Sequence, residues 1–189
     1  MKIPPLVLLC ITNLTVTNQA LKNSLPDPSL YTVSKTISLG TYIPEDITKF
    51  NGISVSKRIL PDLQRLLKAA DKDGLKLKVV SGYRSYIQQQ TTFKSWTTKE
   101  LQRHPSWTQA QAEQEANTYS AKPGHSEHQL GTTVDILSSE NNYHFSADPK
   151  LKYVAWLEKN SSKYNFKISY PKTQTEYTYE PWHLRWHPH

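Results

Sequence analysis

The chain has one cysteine, Cys10, and it lies within the first twenty residues. Nothing beyond that point can form a disulfide framework or a cysteine-ligated zinc site, so any metal chemistry must rest on His, Asp and Glu. No apolar run approaches the roughly 20 residues that a membrane-spanning helix requires. Internal repeats and low-complexity tracts are also missing. Helical and strand patterns do not alternate regularly, which excludes a doubly wound parallel sheet.

What is present fits one globular catalytic-size domain. The 189 residues allow a sizeable core but not two independent ones, and 37% hydrophobic content with eleven Tyr and five Trp excludes a disordered or fibrous chain. Lys and Arg number 23 against 16 Asp and Glu, a net charge of +7. That sign favours anionic surroundings, nucleic acid or an acidic cell-wall polymer. The basic residues are scattered rather than massed, so nucleic acid is not the expected partner; steep salt dependence of DNA binding would be its mark. Nothing here fixes an oligomeric state.

Residues 1–20 read as a secretory signal peptide or else a disordered leader: Lys2 precedes the apolar run Ile3 to Ile11, and a polar stretch ends at Asn18-Gln19-Ala20. Leu9 stands before Cys10 where lipoprotein processing usually needs a small residue, so a lipid anchor is not the leading expectation. A signal peptide would place the protein outside the cytoplasm, secreted or in the cell envelope. Residues 21–41, with Pro26 and Pro28, read as an extended lead-in, and 42–189 as the domain.

Ile59, Leu60, Leu63, Leu66, Leu67 and Ala70 recur at helical spacing, with Pro61 near the start and Gly74 as a stop. Leu75, Leu77 and Val79 alternate with Lys76 and Lys78 as a half-buried strand does. Ser85 with Gln88, and Ser106 with Gln109, fit capping boxes that open two helices. Asp148-Pro149 reads as an N-cap and first helical residue. Further strands are expected over Thr132 to Leu137 and Tyr177 to Trp186. The sum is an α+β domain with a small, mainly antiparallel sheet flanked by helices.

Two segments carry chemistry. In Ser126-Glu127-His128-Gln129-Leu130-Gly131-Thr132-Thr133-Val134-Asp135, the spacing suits a strand, a turn near Gly131 and a second strand. That second strand would turn Val134 and Ile136 to the core and Asp135 to the opposite face. A carboxylate among apolar neighbours is costly unless compensated, and a divalent cation would compensate it. In Glu180-Pro181-Trp182-His183, positions three apart converge only on a bent backbone, and Pro181 gives a reason for a bulge or edge position. Two His and one carboxylate would leave a tetrahedral zinc an open position for water, with Glu180 beside it as general base and then acid. Taken singly, each segment is as well explained by a surface carboxylate or a half-buried Trp-His pair.

Together, Ser126-x-His128-x-x-Gly131-x-Thr133-x-Asp135 and Glu180-x-Trp182-His183 resemble the zinc D-alanyl-D-alanine carboxypeptidases of the VanY type, relatives of D-Ala-D-Ala dipeptidases and LD-carboxypeptidases. Ser81-Gly82-Tyr83-Arg84-Ser85-Tyr86-x-x-Gln89 and Pro123-Gly124-His125-Ser126-Glu127-His128 extend the resemblance over about residues 42–186. The resemblance implies His128, Asp135 and His183 as ligands to one zinc per chain and Glu180 as the catalytic carboxylate. It implies Arg84 as a catalytic, substrate-engaging arginine, and Ser126 and Gln89 as substrate contacts. Thr133 stands where the family commonly has alanine. Arg84 also reads this way on its own chemistry, since a guanidinium after a Gly-containing turn can grip a carboxylate or a developing oxyanion. His125 is the best candidate for a residue supporting the ligands from behind.

The expected activity is hydrolysis of the terminal D-alanine from peptidoglycan stem peptides. Its rivals are LD-carboxypeptidase or endopeptidase action on the same scaffold, and a zinc-containing cell-wall peptide-binding module without hydrolysis. Glu180 speaks against the last, because a pure binder has no chemical need for a base there.

Overall fold

The computed structural model describes residues 31–173 and 176–188; the expected leader, the start of the lead-in and His189 lie outside them. Among the described residues no helix is long and apolar enough to cross a membrane. A hairpin comes first, β1 (Ile47–Phe50) and β2 (Ile53–Ser56), turned at Asn51-Gly52 with φ of 49° and 85°. Positive φ at both turn residues is the geometry that Asn-Gly supplies. Sequence reading passed over this hairpin although the dipeptide signals it.

Helix α1 (Leu60–Lys72) begins with Pro61 in its first turn and is followed by Gly74 at φ 80°. Its Leu63, Leu66 and Ala70 stripe is fully buried. Then come β3 (Leu77–Ser81), α2 (Tyr86–Arg103), α3 (Gln109–Ala116), β4 (Thr133–Ser138), α4 (Lys152–Asn160), β5 (Phe166–Ile168) and β6 (His183–Trp186). The main sheet has the order β3-β4-β6-β5, antiparallel throughout. This is the α+β architecture expected.

Several boundaries differ from expectation for identifiable reasons. The Ser85/Gln88 capping box opens α2 as predicted. The box of α3 is Thr108/Gln111, two residues later than Ser106/Gln109, because Trp107 turns back to stack on His104 at 3.9 Å. Helix α4 starts at Lys152 rather than at Pro149. Asp148 accepts a hydrogen bond from the Lys150 amide in a preceding turn, and the Glu140 carboxylate, twelve residues away, receives the Lys152 and Tyr153 amides. A long-range cap of this kind leaves no local signature.

The two faces of the sheet have separate uses. Val79, Val134, Ile136, Leu184 and Trp186 meet Leu63 and Leu66 of α1 and Val154 and Leu157 of α4 in one core. The intervening residues, Asp135 on β4 and His183 and Arg185 on β6, belong to the opposite face. Apolar alternation therefore fixes which residues are presented to the site.

Candidate metal centre and catalytic cleft

Asp135 and His183 are direct cross-strand partners on β4 and β6. His183 Nδ1 lies 3.2 Å from Asp135 Oδ1, and His128 Nε2 lies 3.2 Å from Asp135 Oδ2. One donor atom from each residue falls within 4.8 Å of the others. All three are nearly sealed from solvent, at 4%, 5% and 3% exposure for His128, Asp135 and His183.

His128 reaches the site from a 3-10 turn, Glu127–Leu130, where sequence spacing suggested a strand. Ser126 accepts the His128 amide as the N-cap, and Gly131 ends the turn at φ 74°, in the left-handed region. A Cβ at Gly131 would lie 2.6 Å from Ile47 Cδ1. The tight turn and left-handed stop let the chain reverse at once into β4. The His128 ring is fixed by Nδ1–H donating to the Gly82 carbonyl at 2.8 Å, which leaves Nε2 with its lone pair toward Asp135. Gly82 has no room for a side chain, since a Cβ would collide with the Ser54 carbonyl oxygen. A one-residue bulge in β3 between Val79 and Ser81 sets Ser81 opposite Asp135 and aims the following segment over the site.

Glu180 and His183 converge through a tight turn and not through a bulge in a long strand. The His183 amide donates to the Glu180 carbonyl at 3.1 Å, and Pro181 supplies the fixed φ of the second turn position. Only residues from His183 onward pair as β6, so the strand expected from Tyr177 is shorter. The turn sets Glu180 Oε2 3.8 Å from His183 Nδ1, and the Glu180 amide is anchored on the Tyr170 carbonyl at 3.0 Å.

Burial works against charge throughout the site, and the outcome differs by residue. Asp135 is opposed by burial, yet His128 and His183 hold its carboxyl far below the usual range. Burial also disfavours charge on His183, but hydrogen bonds to Asp135 and Glu127 push it up to about 10. His128 is lowered, by burial and then by nearby Arg84, against the pull of Asp135. Glu180 is pushed up to about 7, chiefly by burial with Asp135 adding, while His183 and Arg84 pull the other way. The lone pairs that hold a proton between Asp135 and His183 are those a cation would claim, so metal binding here displaces a proton.

The donor set fits zinc. Two imidazole nitrogens and one carboxylate are the three-donor set of a hydrolytic zinc site. The two imidazoles lie 3.2 Å from different oxygens of Asp135, and one donor atom from each residue lies within 4.8 Å of the others.

Arg84 lies beside this centre. Its guanidinium donates to Gln89 Oε1 at 2.8 Å and to Ser81 Oγ at 3.2 Å, and its amide donates to the His128 carbonyl. Burial lowers its pKa while Asp135 and Glu180 raise it, and a guanidinium stays charged in any case. Gln89 is 1% exposed and its amide nitrogen is given to the Ala121 carbonyl, so its observed contacts orient Arg84. Ser126 is buried and caps His128. An open cleft of about 510 Å³ adjoins Arg84, lined also by Ser54, Ser81, Tyr83, Gln88 and Thr91.

Sequence reading missed Glu127. It is buried, takes the His183 Nε2–H at 3.1 Å and is paired with Arg185 at 2.9 Å; against the cost of burial, His183 first and then Arg185 hold its carboxyl down to about 2. His125, the supporting residue expected, instead pairs with the Ser34 carbonyl at 2.8 Å. The only sequence signal for Glu127 was an acidic residue one position before a ligand.

Comparison with known proteins gives the same picture. The family model VanY, described as D-alanyl-D-alanine carboxypeptidase, matches residues 52–189. A D-alanyl-D-alanine carboxypeptidase of Enterococcus faecalis (strain ATCC 700802 / V583) is 39% identical over 139 residues, 72% of this chain and 49% of that protein. The chain spans about two fifths to three fifths of the length of the curated relatives it matches. Two solved structures are similar. VanYB in complex with D-alanine-D-alanine has a TM-score of 0.72 at 34% identity, covering 84% of this chain and 86% of that one. A variant of the vancomycin-resistance D,D-pentapeptidase VanY in complex with Zn(II) has a TM-score of 0.71 at 33% identity, covering 84% and 88%. With the histidine and aspartate of its motifs gathered against one face of the sheet and the motif glutamate beside them, the chain belongs to the VanY family of D-alanyl-D-alanine carboxypeptidases.

Proposed function

We propose that the protein is a zinc-dependent carboxypeptidase that removes the terminal D-alanine of peptidoglycan stem peptides. The observation that carries this reading is the convergence of His128, Asp135 and His183 donors within 4.8 Å, with the Glu180 carboxylate beside them. His128 through Nε2, Asp135 through its carboxylate and His183 through Nδ1 would hold one zinc. When bound, zinc supplies Lewis acidity and lowers the pKa of water at the site.

The chain's own residues do the rest. Glu180, with a carboxyl pushed up to about 7, takes the proton of the attacking water and returns it to the leaving amine. Arg84, held in place by Gln89 and Ser81, presents its fork to the substrate carboxylate or to the oxygen of the scissile carbonyl as charge develops there. Ser126 and Gln89 act through the residues they hold. A net charge of +7 suits an anionic cell wall, and that substrate, with the leader-like residues 1–20, argues for action in the cell envelope or outside the cell.

Mass spectrometry of synthetic stem peptides incubated with protein and zinc tests this directly. The expected product from a pentapeptide ending in D-alanyl-D-alanine is the tetrapeptide. Cleavage of only a tetrapeptide would establish LD specificity instead. Binding without cleavage of any stem peptide would establish a binding module.

A further inference from the structure

Behind His183 lies a buried relay that leads to the lead-in. His183 Nε2 donates to Glu127 Oε2 at 3.1 Å, and Arg185 donates to Glu127 Oε1 at 2.9 Å. The other arm of the Arg185 guanidinium donates to the Tyr31 backbone carbonyl. Glu127, His183 and Arg185 are 6%, 3% and 7% exposed, so the path is shielded from water as far as its half-buried end at Tyr31. Breaking one link would leave a charged group buried without its partner, which is costly.

The described part of the lead-in is tied to the same region at further points. Leu39 donates its amide to the Gly124 carbonyl at 2.8 Å, and the His125 ring meets the Ser34 carbonyl. The side-chain amide of Gln129, the residue after His128, donates to the Gly40 and Tyr42 carbonyls at 2.9 and 3.0 Å. Lys35 lies over the Tyr177 ring at 4.7 Å. An extended stretch with little regular structure of its own thus touches the segments that carry two of the three donor residues.

We infer that Glu127 is a positioning residue for His183, locked by Arg185 and by the lead-in carbonyl of Tyr31, so that metal retention and docking of residues 31–42 are coupled. The inference rests on the zinc site proposed above. A carboxylate that accepts Nε2–H fixes the tautomer with its lone pair on Nδ1, the atom facing Asp135, and raises the basicity of that ligand. Arg185 holds the other oxygen of Glu127 and so keeps the carboxylate oriented toward His183. Coupling is reciprocal: if the docked lead-in favours zinc, zinc must favour the docked lead-in by the same factor.

The test is made on the full chain with zinc itself. Glu127→Gln can still accept from His183, but its amide must turn a donor toward Arg185, so the relay is broken while size is conserved. Zinc affinity, measured by competition with a chromophoric chelator, should fall by about 10–100-fold. A change in stability of the zinc-free protein with unaltered zinc affinity would reduce Glu127 to a structural role and overturn the inference. If the variant does not fold, hydrogen exchange of the wild type decides. Saturating zinc should slow exchange of the Leu39 amide by at least about fivefold, and exchange there that ignores zinc would overturn the coupling. Wild-type protein that binds no zinc would remove the site and this inference together; zinc binding by the wild type that Glu127→Gln leaves unchanged would remove the inference alone.

Discussion

Replacement of Glu180 by glutamine separates chemistry from architecture. The Glu180 carboxylate makes no direct hydrogen bond to His183, being 3.8 Å from Nδ1, and the turn is held by backbone bonds to Tyr170 and from His183. The fold and the three donors should therefore survive the change. Loss of a general base costs about 10²–10⁴ in rate, or roughly 2.7–5.4 kcal/mol of barrier. The same residue has a measurable effect on stability. Its carboxyl is pushed from 4.5 to about 7, chiefly by burial, so between those values the folded state binds a proton that the unfolded chain releases. A raised acid makes folding less favourable as pH rises through that window, by up to about 3 kcal/mol above pH 7. Glutamine carries no charge and escapes this cost. The variant should thus cleave a pentapeptide at least about a hundredfold more slowly with near-normal zinc content. In chelator at pH 8 it should melt several degrees higher than the wild type, and the difference should vanish near pH 4. Turnover like the wild type would refute the role of Glu180, and equal melting at pH 8 would refute the reading of its burial.

Three further outcomes follow from the geometry. His128→Ala, Asp135→Ala and His183→Ala should each lose most of the single zinc expected per chain, as elemental analysis would show; full metal in all three would refute the donor set. Gly82→Ala drives a Cβ into the Ser54 carbonyl oxygen, which also receives the Tyr83 amide at 2.6 Å. It should cost about 1–3 kcal/mol in urea denaturation and weaken zinc by displacing the carbonyl that holds His128. Arg84→Lys cannot reach both Gln89 and Ser81 with one ammonium, so steady-state kinetics should show lower kcat/KM with the fold intact, and unchanged kinetics would make Arg84 structural.

The sequence alone determined the parts that depend on local pattern. Alternation along residues 132–137 told which side of that strand carries Asp135, because a period of two assigns every residue to a face. The Ser85/Gln88 box and the Leu63, Leu66, Ala70 stripe located two helices for equally local reasons. The motifs themselves named His128, Asp135, His183 and Glu180. Local pattern could not say how Glu180 meets His183, since a proline favours a turn and an edge alike; the hydrogen bond from residue 183 to residue 180 decided it. Nor could it find Glu140 capping a helix twelve residues on, or Gln89 buried against Arg84 and Ala121. Glu127 is the clearest case. A carboxylate beside a motif histidine reads as a surface charge until the antiparallel pairing of β4 with β6 brings His183 and Arg185 against it, and such pairing joins residues 56 and 58 positions apart. Side-chain chemistry is written in the residue type, but the desolvation and neighbours that give it a role exist only once distant segments have packed.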